Sequence, residues 1–119
     1  MVEYRRRHNE VVQKLAEELN GEWFKFGAFD IMTTEPKFIE VKVCNAKVPK
    51  FKISEDELKV ARIMGEKYLI YFYYQGEQHI IPGAKILEWT RNTKYENQFG
   101  HKHLKQKDIT LSKKRFAEL

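Results

Sequence analysis

Val11, Val12, Leu15, Ala16 and Leu19 recur at the three- and four-residue spacing of a helix face. They predict a helix over residues 3–19, stopped by Asn20-Gly21. Trp23 to Phe26 and Ala28 to Thr33 read as two strands meeting near Gly27. Pro36 marks the turn into a third strand, FIEVKV, Phe38 to Val43, in which apolar and polar positions alternate. Residues 44–53 read as a basic loop around Pro49. Ser54 with Glu57 three residues on is a capping box, and it opens a second helix. Leu58, Val60, Ala61, Ile63 and Met64 supply that helix's apolar face, and Gly65 ends it. KYLIYFYY has the β-branched and aromatic content of a central strand. Gln75-Gly76-Glu77 turns into a short fifth strand, Gln78 to Ile81, which Pro82-Gly83 breaks. Beyond residue 84 the periodicity is weak. The order helix, three strands, helix, strand, strand predicts an α/β fold, with a central mixed sheet flanked by helices.

No repeat, low-complexity tract or Gly/Ser linker divides the chain, so residues 1–119 are expected to form one domain. No stretch approaches the roughly 20 consecutive apolar residues of a membrane span, and no apolar segment follows the arginines of MVEYRRRHNE as a secretory signal requires. Cys44 is the only cysteine, which excludes an internal disulfide and a cysteine-based zinc site. A reducing, cytoplasmic setting is the expectation. The net charge of +5 is unevenly placed: residues 85–119 hold nine basic and four acidic side chains, whereas the thirteen of each sign before them cancel. A basic C-terminal segment of that kind suits a phosphate backbone.

Candidate chemistry concentrates in the third strand. Glu40 and Lys42 lie two apart and share a face with Phe38, while Ile39, Val41 and Val43 take the other. Charge on so apolar a strand is costly to bury without partners. Asp30 lies ten residues earlier, on the neighbouring strand, and a turn at Glu35-Pro36 would bring it beside Glu40. Two carboxylates about 4 Å apart repel by roughly 4 kcal/mol at an effective dielectric of 20. A cation must offset that, and oxygen donors beside one lysine suit a hard ion such as Mg²⁺. Glu-x-Lys also occurs at Glu35-Pro36-Lys37 and Glu57-Leu58-Lys59, in a turn and a helix; only Glu40-Val41-Lys42 is in a strand with an aspartate upstream.

In these residues, and in the run FIEVKVCNAKVPKFKISEDELKVARIMGEKYLIYFYY, the chain resembles the PD-(D/E)XK nuclease superfamily, particularly its small restriction-endonuclease-like and junction-resolvase-like members. The resemblance covers residues 1 to about 75, with Phe29 where many members carry a proline before the aspartate. It implies a restriction-endonuclease-like core and hydrolysis of phosphodiester bonds. It implies that Asp30, Glu40 and the carbonyl of Val41 bind Mg²⁺, or Mn²⁺ as a substitute. It also implies that Glu10 on the first helix binds the ion or a water, and that Lys42 serves the attacking water.

Around this site Arg5, Arg6, Arg7, Lys50, Lys52, Lys102, Lys105, Lys107, Lys113, Lys114 and Arg115 are candidate phosphate contacts. His101 and His103 read as basic surface residues, since two histidines without further ligands make a poor metal site. Tyr68, Tyr71, Tyr73 and Tyr74 read as core. The expected activity is an Mg²⁺-dependent endonuclease on duplex or branched DNA, structure-selective or weakly sequence-specific, acting as a homodimer with no membrane partner. The rivals are an inactive nucleic-acid-binding or scaffolding module of the same fold, and an RNA-processing nuclease.

Overall fold

The computed structural model describes residues 2–24, 29–98 and 101–119, with side chains at 6–24, 29–96 and 105–119. Helix α1 spans Val2–Leu19 and is followed by the short strands β1, Glu22–Trp23, and β2, Ile31–Met32. Strand β3 runs Phe38–Cys44, β4 Lys50–Ser54, helix α2 Glu55–Met64, β5 Tyr68–Tyr74 and β6 Glu77–Pro82. Helix α3 spans Gly83–Thr90, β7 Glu96–Gln98, β8 His101–Thr110 and helix α4 Lys113–Ala117. Five strands form a mixed sheet in the order β1-β2-β3-β5-β6, in which β3 and β5 are parallel and the other neighbours antiparallel. Strands β4, β8 and β7 form a second, antiparallel sheet. The chain is an α/β protein of an arrangement consistent with a restriction-endonuclease-like core.

Two clusters of buried side chains account for the layering. Val12, Leu15 and Ala16 of α1 pack on Ile31, Ile39, Val41, Val43 and Tyr71, covering one face of the five-stranded sheet. Tyr68, Ile70, Phe72 and Ile81 on the opposite face meet Leu58 and Ala61 of α2, Ile86 and Trp89 of α3, and Phe51, Ile53 and Ile109 of the second sheet. The alternation expected along FIEVKV is therefore real: its odd positions lie under α1 and its even positions face α2. Among the described residues no helix is long and apolar enough to cross a membrane.

Several boundaries differ from expectation for identifiable reasons. The two strands expected over 23–33 run through residues 25–28, which lie outside the described residues; what is described on either side is β1 and β2. The segment read as a basic loop ends in strand β4, because Phe51 and Ile53 point into the core while Lys50 and Lys52 point out. Lysine occupies the outward positions and hides a period-two pattern. Ile63, expected on the buried face of α2, is 77% exposed. The weakly patterned end holds α3, β7, β8 and α4, and β8 alternates buried Lys107 and Ile109 with exposed Asp108 and Thr110.

Helix α3 begins at Gly83, against the start of β5. A Cβ on Gly83 would stand 3.0 Å from the Tyr68 carbonyl oxygen and 3.3 Å from that of Gly65. Both are main-chain atoms that cannot swing aside. Gly83→Ala is expected to lower stability by about 1–3 kcal/mol, as overpacking does, measured as an earlier urea midpoint with an unchanged slope.

Candidate active site

Strand β3 loses its antiparallel neighbour partway along, and side chains take over the exposed edge. Strand β2 pairs with β3 only through Phe38 and Ile39. The Asp30 amide then donates to the Ile39 carbonyl at 2.7 Å. At the next edge position the Asp30 carboxylate replaces a strand: its Oδ2 accepts from the Val41 amide at 2.7 Å. The Val41 carbonyl, also on this edge, accepts from His8 Nε2 at 2.9 Å. The same Nε2 lies 3.5 Å from Asp30 Oδ2. Two oxygens from β3 and its flank thus converge on one ring nitrogen of α1.

On the α2 side, Glu40 and Lys42 occupy the even positions of β3. Lys42 Nζ lies 3.4 Å from Glu40 Oε2 and donates to Glu57 Oε1 and Oε2 at 3.0 and 3.2 Å. Glu40 is 6% exposed and Glu57 9%. Glu57 is also the third residue of the capping box: its Oε1 accepts from the Ser54 amide at 2.9 Å, while Ser54 Oγ accepts from the Glu57 amide at 3.1 Å. One carboxylate therefore ties the start of α2 to the lysine of β3. Lys42, Val43, Phe51, Lys52, Ser54, Glu57 and Gln106 line a cleft of about 410 Å³, through which the lysine can be reached.

Burial shapes the titration of these groups. It pushes the Lys42 ammonium down to about 8, with the Asp30 charge opposing the shift. It pushes the Glu57 carboxyl up to about 7, against the stabilising bond from the Ser54 amide. Burial thus works against the charged form of both partners. His8 is raised chiefly by its contact with Asp30, with burial opposing. Perturbed groups gathered at one place are a mark of functional sites.

The structure brings together Asp30, Glu40, Val41 and Lys42. It does not bring Glu10 to them: that side chain is exposed. Residues 8, 12, 15, 16 and 19 of α1 face the sheet, and position 10 lies about 200° round from position 8. The residue that α1 does offer is His8. Its signal was the helical spacing from Val12 and Leu15, which puts a histidine on the buried stripe; an acidic side chain attracted the expectation to Glu10 instead. Glu57 was legible as a cap and not as a partner of Lys42.

Asp30, Glu40 and the Val41 carbonyl are hard oxygen donors of the kind Mg²⁺ takes. Among the described residues no three His, Cys, Asp or Glu side chains are already gathered as a metal cage. A bound ion would need the main-chain oxygen and waters to complete its shell, which is the habit of Mg²⁺. The donor chemistry fits.

The expected phosphate contacts divide. Lys50 and Lys52 project from β4, with Lys52 paired to Asp108 at 2.9 Å. Arg6 and Arg7 are exposed, and Arg7 donates to Asn45 Oδ1 at 2.8 Å. Lys105, Lys113 and Lys114 are exposed. The side chains of Arg5, His101, Lys102 and His103 lie outside the described ones. Two candidates are engaged by the fold itself, Lys107 buried and Arg115 half-buried. Lys107 is 7% exposed, donates to the Thr90 carbonyl at 2.8 Å and sits over the Tyr95 ring. Arg115 donates to the Thr110 carbonyl at 2.9 Å and lies over the Trp89 ring. Tyr68 and Tyr71 are buried as expected, and Tyr73 and Tyr74 half-buried.

The family described as "Protein NO VEIN, C-terminal" matches residues 2–83. The match takes in α1 through β6, and with them His8, Asp30, Glu40, Val41, Lys42 and Glu57. No curated protein and no solved structure matches the chain.

Proposed function

The chain belongs to the family of protein NO VEIN C-terminal domains, and from that premise we propose that it is a metal-dependent nuclease of the PD-(D/E)XK kind that hydrolyses phosphodiester bonds in DNA. The observation that carries the reading is the free edge of β3. There Asp30 Oδ2 and the Val41 carbonyl approach one point, with Glu40 and the buried Lys42 on the adjoining face.

In this reading Asp30, Glu40 and the Val41 carbonyl hold Mg²⁺ or Mn²⁺. Such an ion, when bound, polarises a phosphoryl oxygen and favours hydroxide over water. The chain's own groups do the rest. Asp30 keeps the Val41 peptide in place through its amide. Lys42, held by Glu57, presents an ammonium to the charge that builds on the phosphoryl oxygens. With a pKa lowered to about 8 it can also give or take a proton near neutral pH. Lys50, Lys52, Arg6 and Arg7 supply phosphate contacts that position a strand without reading its sequence. Structure-selective or weakly specific cutting follows, and paired cuts in a duplex call for a homodimer.

The test is cleavage of an end-labelled four-way junction, its linear duplex, a DNA single strand and an RNA of the same sequence. Each is incubated with Mg²⁺, with Mn²⁺ and with chelator. Cutting of DNA that stops on metal removal is the expected result. Cutting of RNA alone would replace the substrate. Salt-sensitive binding with no cutting under any condition would leave a binding module and end the nuclease reading.

A further inference from the structure

A cavity of about 510 Å³ opens at the carboxyl ends of the parallel strands β3 and β5, on the face that α1 covers. Small-molecule sites have volumes of roughly 300–1,000 Å³, and the carboxyl ends of parallel strands are where open α/β sheets bind ligands. The buried Val43 and the half-buried Val11 and Tyr73 give it an apolar lining. The exposed Arg7, Asn45, Lys47 and Gln75 complete it, so it carries two cations and no carboxylate. Arg7 Nη1 donates to Asn45 Oδ1 at 2.8 Å, a neutral partner that leaves the charge uncancelled. The walls are fixed. The Tyr74 hydroxyl donates to the Lys47 carbonyl, and Cys44 Sγ donates to the Val48 carbonyl at 3.5 Å, which pins the segment after β3. Gln75 and Gly76 take φ of 51° and 77°, as the two-residue hairpin from β5 to β6 requires. Gln78 Nε2 donates to the Tyr73 hydroxyl at 2.7 Å. A cavity built this way needs little ordering when it binds.

We propose that this cavity receives the base of one unpaired nucleotide adjoining the phosphate at the β3 site. The inference rests on the nuclease reading and deepens it by naming the substrate: DNA with an unpaired nucleotide beside the cut. Position supports it. Val43 lies two residues beyond Val41 on the same face of β3, roughly 6.6 Å along the strand. Arg7 directly precedes His8, which contacts the Val41 carbonyl. A strand with a phosphate at the Val41 edge therefore reaches the cavity with the next nucleotide. The chemistry agrees. An apolar lining with a tyrosine suits a base, which stacks whatever its identity. Arg7 and Lys47 suit the flanking phosphate. The amides of Asn45 and Gln75 offer donors and acceptors to a base edge. A paired base must leave its stack and its partner to enter, a cost that an unpaired base is spared. The cavity thus selects a bulge, flap or branch over an intact duplex.

The test is binding of the whole chain to labelled DNA, read by fluorescence anisotropy with chelator present so that nothing is cut. Three DNAs are compared: a perfect duplex, the same duplex with one bulged nucleotide, and that bulge made abasic. Wild type is expected to bind the bulged duplex at least about tenfold more tightly than the perfect one, and to lose about tenfold when the base is removed, as stacking of a single base supplies. Tyr73→Ala should cancel the preference. Because Tyr73 also packs against the α1 core, the exposed Ala46 of the lining is replaced as well; Ala46→Trp fills the cavity and should cancel the preference in a folded protein. Irradiation with 5-iododeoxyuridine at the bulge should attach the DNA to the peptide that carries Tyr73. Equal affinity for the three DNAs, attachment only elsewhere, or displacement of the bulged DNA by equimolar free deoxyadenosine monophosphate would overturn the proposal. A preference for the bulge in a protein that cuts nothing with Mg²⁺ or Mn²⁺ would sustain the cavity's role and remove the nuclease. Metal-dependent cutting without the preference would do the reverse, and no binding of any of the three DNAs would overturn both.

Discussion

Lys42→Met is expected to lower phosphodiester cleavage by about 10²- to 10⁴-fold, the range spanned by loss of a positioned proton-transfer group or charge-stabilising donor. Methionine keeps the length and apolar stem of the lysine, so its place on β3 opposite Phe72 has little reason to change. What disappears is the ammonium between Glu40 and Glu57. Both carboxylates are almost wholly buried, and removing one partner from a buried charge network commonly costs about 3–5 kcal/mol. The variant is therefore expected to be less stable at neutral pH and to recover part of the deficit near pH 5, where the Glu57 carboxyl can protonate. Cleavage is measured well below the melting temperature of the variant, so that the two effects separate. A folded Lys42→Met protein with wild-type rates would remove the lysine from the chemistry, and one with wild-type stability at pH 7 would show that the two glutamates need no cation.

The site was readable where local pattern and chemistry coincide. FIEVKV declared its own faces, because a charge at every second position of an apolar strand has few structural explanations, and the aspartate one strand earlier followed from a turn at Pro36. Ser54 and Glu57 announced the start of α2 by a rule that needs four residues only. Where the structure departs from the expected pattern, the cause is different. Glu10 draws attention by its charge, although helical spacing from Val12 points at His8; on a helix the angle decides before the chemistry does. Lys107 and Arg115 read as phosphate contacts in the sequence because nothing local says that a lysine on β8 finds the Thr90 carbonyl and the Tyr95 ring, or that an arginine on α4 finds Trp89. Those partners are brought by tertiary packing. Strand β4 was missed for a related reason, since only two apolar residues, Phe51 and Ile53, separate outward lysines and a serine.

Glu57 joins these two themes, and its replacement tests whether one carboxylate serves both fold and chemistry. Burial raises it from 4.5 to about 7 in the folded protein. Between those limits the folded state holds the proton and the unfolded state does not, so stability falls as pH rises. At about 1.4 kcal/mol for each pH unit, the contribution present below about pH 4.5 and gone above about 7 is of order 3 kcal/mol. Glutamine does not titrate. The difference in unfolding free energy between wild type and Glu57→Gln is expected to shrink by that amount from pH 4 to pH 7.5, measured by chemical denaturation in steps across the range. A flat difference would mean that the carboxylate is as well solvated in the fold as out of it. The same variant keeps an acceptor for Lys42 Nζ but takes away one of the two negative charges beside it, leaving Glu40. The lysine then keeps its place and loses a partner that favours its charged form, so the alkaline limb of the pH–rate profile should move to lower pH while the affinity for DNA stays. Glu57→Ala removes the acceptor too and frees the lysine to swing within the cleft, and its rate should fall further than that of the glutamine variant at every pH. If alanine and glutamine behave alike in rate and differ only in stability, Glu57 is a helix cap and Lys42 positions itself.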